Sequence, residues 1–303
     1  MNDMTGLMAA VGTAILWAMT STMFSLAGRA VGSVVVNRVR LLAASLLVLV
    51  AHWAVLGTLI PIQAGVDRWI WLSLSGLIGF VLGDAFLFQA FVWIGPRISM
   101  LLMSLAPVIA TIISWVVLGE TLSPLELMGI LTAVLGVAIV ILERNGRSME
   151  TLEENPYFRR GLVYGFGAAL GQALGLILSK KGLYGDFSAL SGNLIRLISA
   201  TAAIWLWTLA IRQVRPTIAS IRQSQQAFKF ILGGSITGPF LGVWLSLVAV
   251  QAIEVGIAST LMGLAPVFLL PLSWWIFKDR FGWKAILGTV MAVGGGAILF
   301  IVV

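Results

Sequence analysis

The polar residues in this chain that are equipped for chemistry lie inside apolar sequence. Asp84 stands in "IGFVLGDAFLF", Arg40 in "NRVRLLAASLL", and Arg196 in "GNLIRLISA". A carboxylate in the middle of a membrane helix costs roughly 2.5–3.5 kcal/mol on insertion scales, so it must face a partner or a wet cavity. Asp84 therefore has two readings: a proton-coupling or substrate-amine site, or an internal ion pair with Arg40 or a helix-to-helix hydrogen bond. The guanidinium fork of Arg40 or Arg196 fits a substrate carboxylate. It also suits a structural role, with the head reaching the interface or backbone carbonyls. Asn37 and Asn193, one turn earlier, share that ambiguity. Trp17, Thr20 and Ser21 in the first apolar run, with Gln172 in the sixth, are candidate cavity walls; Gln89, Ser99, Ser104 and Trp244 are further ones. An aromatic face and an amide suit a zwitterion or small polar molecule with an apolar side chain. Tryptophan is also a common interface anchor, and this chain has 12.

Other chemistries are excluded or find no support. There are no cysteines, so disulfides and thiolate metal sites are ruled out. The single histidine, His52, falls near the end of an apolar run, where an interfacial side chain is expected. No metal-ligand spacing, Ser/His/Asp set or phosphate-binding glycine loop occurs, so neither an enzyme nor a cofactor or metal site is expected. The formal charge of +7 does not point to nucleic acid, because the basic residues sit at the ends of apolar runs and form no stripe.

These residues need elements to position them, and composition identifies the kind. Hydrophobic residues make up 59% of 303 positions and charged ones 10%, against roughly a quarter charged in soluble domains. A bilayer core is crossed by about 20 apolar residues. Such runs occur at 6–28, 33–56, 69–92, 97–118, 125–143, 161–183, 188–211, 228–250, 256–277 and 283–303. The first is too long for a signal-peptide core and reads as a retained span. An all-α integral membrane protein with ten transmembrane helices follows. The division is 1–145, a polar linker at 146–160, and 161–303.

The halves repeat. A shift of 159 aligns Gly76–Val140 with Ser235–Leu299 without a gap, and about 20 of roughly 65 positions match. The pairs include Gly79/Gly238, Gly83/Gly242, Pro107/Pro266, Trp115/Trp274, Gly129/Gly288 and Gly136/Gly295. A shift of 156 pairs "NRVRL" at Asn37 with "NLIRL" at Asn193, and a shift of 155 pairs Trp17 with Gln172. A unit of five spans is odd, so its second copy enters the membrane from the opposite side. Inverted repeats of this kind build transporters with a site near the bilayer middle. Pro107 and Pro266 lie mid-span in the fourth and ninth helices, and Pro271 adds a second break. Kinks there would line the cavity and act as gates.

The order of motifs resembles the drug/metabolite transporter superfamily, EamA type. "AILWAMTST" matches its first helix, and an arginine lies in the second. "GLIGFVLGDAFLFQAFVWIGPRIS" covers the third and the start of the fourth. "SLAPVIATIISWVVLGETLS" and "GILTAVLGVAIVI" complete the first copy. The second copy departs where "GET" becomes "KDR" at Lys278-Asp279-Arg280. Glu120 and Asp279 read as helix-start or loop charges. The resemblance implies a multi-pass carrier in the cell's inner (plasma) membrane, exporting amino acids or related small metabolites by alternating access. The alternative is a small cationic drug/proton antiporter working through Asp84. Membrane lipid and a small-molecule substrate are the expected partners; monomer and dimer are both open. Loop charge places about 13 Lys/Arg on one side and about 3 on the other, which puts both termini outside. The resemblance implies termini inside.

Overall fold

The computed structural model describes residues 2–143, 157–265, 267–268 and 282–302. All regular structure among them is helical. The helices are α1 (Asp3–Val31), α2 (Ser33–Leu56), α3 (Val66–Gly76), α4 (Asp84–Met103), α5 (Ala106–Leu118) and α6 (Pro124–Glu143). The second copy gives α7 (Phe158–Gly182), α8 (Ala189–Ala210), α9 (Val214–Gln223), α10 (Gln225–Ser235), α11 (Val243–Ala252), α12 (Val255–Met262) and α13 (Trp283–Val302). Two π-helical segments join their neighbours without a break: π1 (Leu77–Gly83) and π2 (Ile236–Gly242). Among the described residues, six helical stretches are long and apolar enough to cross a bilayer, and three shorter apolar ones accompany them.

Burial is arranged for lipid. Val50, Trp53, Leu206, Trp207 and Val290 point outward, whereas Asn37, Arg38, Arg40, His52, Asn193 and Arg196 are buried between helices. Hydrocarbon accepts the apolar exterior, and the polar groups find partners inside.

Equivalent helices of the two copies pack against each other, and they do so antiparallel. In α6 and α13, Gly136 lies on Gly288 and Ala292, while Gly129 lies on Gly295 and Leu299. The contact Gly136–Gly288 and the contact Gly129–Gly295 exchange under the 159 shift, so the crossing is reciprocal. A side chain at Gly129, Gly136 or Gly295 would run into the facing helix, and its absence lets the backbones close. In α2 and α8, Ser45 and Thr201 share a hydroxyl hydrogen bond of 2.7 Å. Those two residues are equivalent under the 156 shift. Around them the Trp205 indole donates to the Arg38 carbonyl at 3.1 Å, and the His52 ring meets Ser191 at 2.9 Å. His52, near the end of its helix, is therefore buried between the copies.

First and third spans cross between copies. Gly171 and Gly175 of α7 lie on Gly83 and Gly79 of π1, and Thr20 of α1 lies on Gly238 of π2. The wide π turn leaves carbonyls open to side-chain donors. The Asn37 amide donates to Phe80 at 3.5 Å, and the Asn193 amide to Pro239 at 3.0 Å and Phe240 at 3.3 Å. The asparagines thus anchor each second span to the π turn of its own copy.

Two boundaries differ from the sequence reading. The break expected between 92 and 97 keeps helical geometry, and α4 runs to Met103. Its contacts along α7 are nevertheless not in sequence order: Gly167 lies on Phe86, Gly161 on Ile94, and Gly165 on Leu102. The second copy does break there, at an extended Ile253 (φ −130°, ψ 173°). Lys180 takes the Ile253 carbonyl at 2.7 Å, and Glu120 accepts from Val255 N–H at 2.9 Å. The counterparts of Lys180 and Glu120 are Ser25 and Asp279; a serine brings no ammonium to draw a carbonyl out. The loop before Gln225 also holds a short helix, α9, that the apolar-run pattern did not announce.

Candidate functional site

The fourth span was expected to kink at Pro107. Instead it is interrupted one turn earlier: Ser104 and Leu105 leave the helix and Pro107 is the second residue of α5. Proline fits there because the first turn needs no donor from its nitrogen. The second copy interrupts at the equivalent place, Gly263 and Leu264. Pro266 and Pro271 lie outside the described residues.

These two interruptions face one cavity of about 90 Å³. Its wall is made of repeat-equivalent pairs: Trp17 with Gln172, Met103 with Met262, Ser104 with Gly263, and Ala106 with Ala265. Pro107, Val137, Leu176 and Ser259 complete it. Trp17, Ser104, Gln172 and Pro107 are thus brought together on one wall. The methionines, Ser259 and the alanines were missed. Their signal was present in the sequence, since Met103/Met262 and Ala106/Ala265 match in the 159 register. The wall is mostly apolar, with the Trp17 indole, the Gln172 amide and two serine hydroxyls as its polar side-chain groups. Ends of interrupted helices supply backbone N–H and C=O groups whose helical partners are missing.

The remaining candidates stand elsewhere. Thr20 donates to the Leu16 carbonyl at 2.8 Å and shares a 2.7 Å hydrogen bond with Thr237 of π2. Ser21 is exposed and bonds its own helix at Ala18. Trp244 stacks on Phe240 at 6.3 Å. Gln89 is half-buried on α4 and does not line the cavity, and Ser99 is buried on the same helix.

The charged residues Arg40, Asp84 and Arg196 do not line the cavity. Arg40 donates through Nη2 to Asp84 and through Nε to Asn37 Oδ1 at 2.8 Å. The Phe24 and Phe88 rings flank its guanidinium at 5.5 and 5.3 Å. Asp84 is therefore neutralised within the first copy. Arg196 behaves differently: its head crosses to the first copy and lies over the Phe80 ring at 4.5 Å.

One face of the molecule is pinned. Lys180 pairs with Glu120 at 2.6 Å, and Glu120 also caps α12. Glu120 thus sits at a helix start, but that of α12 in the opposite copy. The α6 start is capped by Ser123 and Glu126 in a reciprocal box.

A membrane-embedded helical bundle with doubled elements around a central cavity belongs to the class of small-molecule carriers. The EamA-like transporter family model matches residues 4–142 and 159–301, and the chain belongs to that family. Its members are transporters, and the two matched segments are the two copies. No curated protein sequence matches significantly. A solved structure described only as "Crystal structure of protein" is similar in fold. It has a TM-score of 0.72 at 16% identity, and the match covers 98% of this chain and 97% of that one.

Proposed function

We propose that the protein is a ten-span secondary carrier of the plasma membrane that exports amino acids or related small metabolites by alternating access. The observation that carries this is the cavity wall. Its residues come in pairs from equivalent positions of two copies that pack antiparallel. Antiparallel packing of equivalent helices supports a two-fold axis in the membrane plane, passing by Ser45/Thr201 and through the α6/α13 crossing. A site on such an axis has the same relation to both sides of the bilayer, as rocking of one copy against the other requires.

The apolar wall with a few polar groups suits a small zwitterion with an apolar side chain. The cation/proton reading is weakened because Asp84 is held by Arg40 and lies off the cavity wall. Counterflow in proteoliposomes, with each L-amino acid in turn, tests the proposal. Saturable exchange of at least one, reduced at least tenfold in Gln172→Ala, is expected. Flux confined to quaternary cations and lost in Asp84→Asn would favour the antiporter instead.

A further inference from the structure

The two copies treat their second-span arginine differently, and the difference leaves one set of buried groups unused. In the first copy Asn37 Oδ1 receives Arg40 Nε, and Asp84 receives Arg40 Nη2. The same i, i+3 spacing occurs at Asn193 and Arg196, yet the equivalent bond is not made. Arg196 Nε and Nη1 have no acceptor among the described residues, and Asn193 Oδ1 has no donor. Arg196 is 4% exposed and Asn193 fully buried. Asp84 has no counterpart in the second copy, where Val243 stands at its position. The row Arg40, Asp84, Arg196 therefore carries one positive charge beyond what its own carboxylate balances. A buried guanidinium with open N–H groups is costly unless something occupies it for part of the working cycle.

The position is suited to a transported molecule. Arg40 and Arg196 each lie five residues before the Ser45/Thr201 pair on antiparallel helices. At 1.5 Å per residue they stand about 7.5 Å to either side of that pair along their helices. Arg196 Nη2 lies 3.5 Å from where a side chain on Gly79 would begin. Gly79 in turn packs on Gly175, the neighbour of cavity-lining Leu176. The guanidinium thus sits beside the Gly79–Gly175 crossing between the copies, one that rocking would open.

We infer that Arg196 and Asn193 form the head-group subsite of the carrier. Arg196 receives the carboxylate of an α-amino acid, and Asn193 Oδ1 accepts from its ammonium, while the apolar cavity holds the side chain. This rests on the carrier reading and adds the part of the cargo that is recognised. A guanidinium fork fits a carboxylate, and a carbonyl acceptor one turn away fits the adjacent N–H donors.

Thermal unfolding of the purified full chain tests it, with the twenty L-amino acids, their amides and chloride as probes. At least one acid should raise the midpoint of the wild type saturably, while its amide and chloride do not. Arg196→Gln should weaken that acid at least tenfold. Asn193→Asp, which places a carboxylate beside the guanidinium, should keep or raise the unliganded midpoint and abolish the response to acid. Equal stabilisation by acid and amide, an equal effect of chloride, or wild-type affinity in either variant would overturn the subsite, as would no response to any acid. Counterflow separates this from the carrier reading. Binding through Arg196 without flux keeps the subsite and removes the carrier. Flux untouched by Arg196→Gln does the reverse.

Discussion

At the scale of single residues, the ion pair of Arg40 and Asp84 has a clear energetic role. Arg40 is buried and its other partner, Asn37 Oδ1, bears no charge. Removing the carboxylate alone leaves a desolvated cation, which typically costs several kcal/mol. Asp84→Asn should therefore lose about 3 kcal/mol of stability, read as a lower unfolding midpoint in detergent. The double variant Arg40→Gln/Asp84→Asn should recover most of it. A double variant no better than the single one would mean the pair does not hold the first copy together. The pair was one of the readings open in the sequence. That Arg196 lacks the pairing Arg40 makes was not legible, because its symmetric spacing with Asn193 suggests the same anchoring as Arg40. The divergence comes from neighbours far along the chain: Val243 offers it no carboxylate, and the Phe80 ring of the other copy draws the guanidinium across.

At the scale of elements, the antiparallel crossing of α6 and α13 joins the copies through glycines. Gly136→Leu would force side-chain atoms into the Gly288–Ala292 backbone. Overpacking of this kind usually costs about 1–3 kcal/mol. Gly294→Ala, on the same pair of helices but with open space around it, should be neutral or slightly stabilising. Unfolding midpoints of the two variants compare the effects directly; an equal response would mean the crossing is not close-packed. The repeat register made these glycines visible in advance, since Gly129/Gly288 and Gly136/Gly295 match. The interruption at Ser104–Leu105 was not visible. A proline in an apolar run is compatible with a kink or with a fresh helix start, and only the packing of α5 against its neighbours selects the second. Helix α9 escaped for a different reason: its ten residues are too few and too polar to register as an apolar run of membrane-crossing length.

At the scale of the whole molecule, the copies meet at a cavity and are also joined by a charged contact outside its wall. Glu120 of the first copy holds Lys180 and the start of α12 in the second, so this contact must part if the cavity is to open toward the face bearing it. Because the chain has no cysteine, a single Ser259→Cys reports access to the cavity wall without background. We expect a membrane-impermeant maleimide to label this thiol from either side of sealed vesicles. Adding Glu120→Gln should raise the rate severalfold from the face bearing Lys180 and lower it from the other. Labelling from one side only, unchanged by Glu120→Gln, would contradict a carrier in which two copies rock about a shared central site.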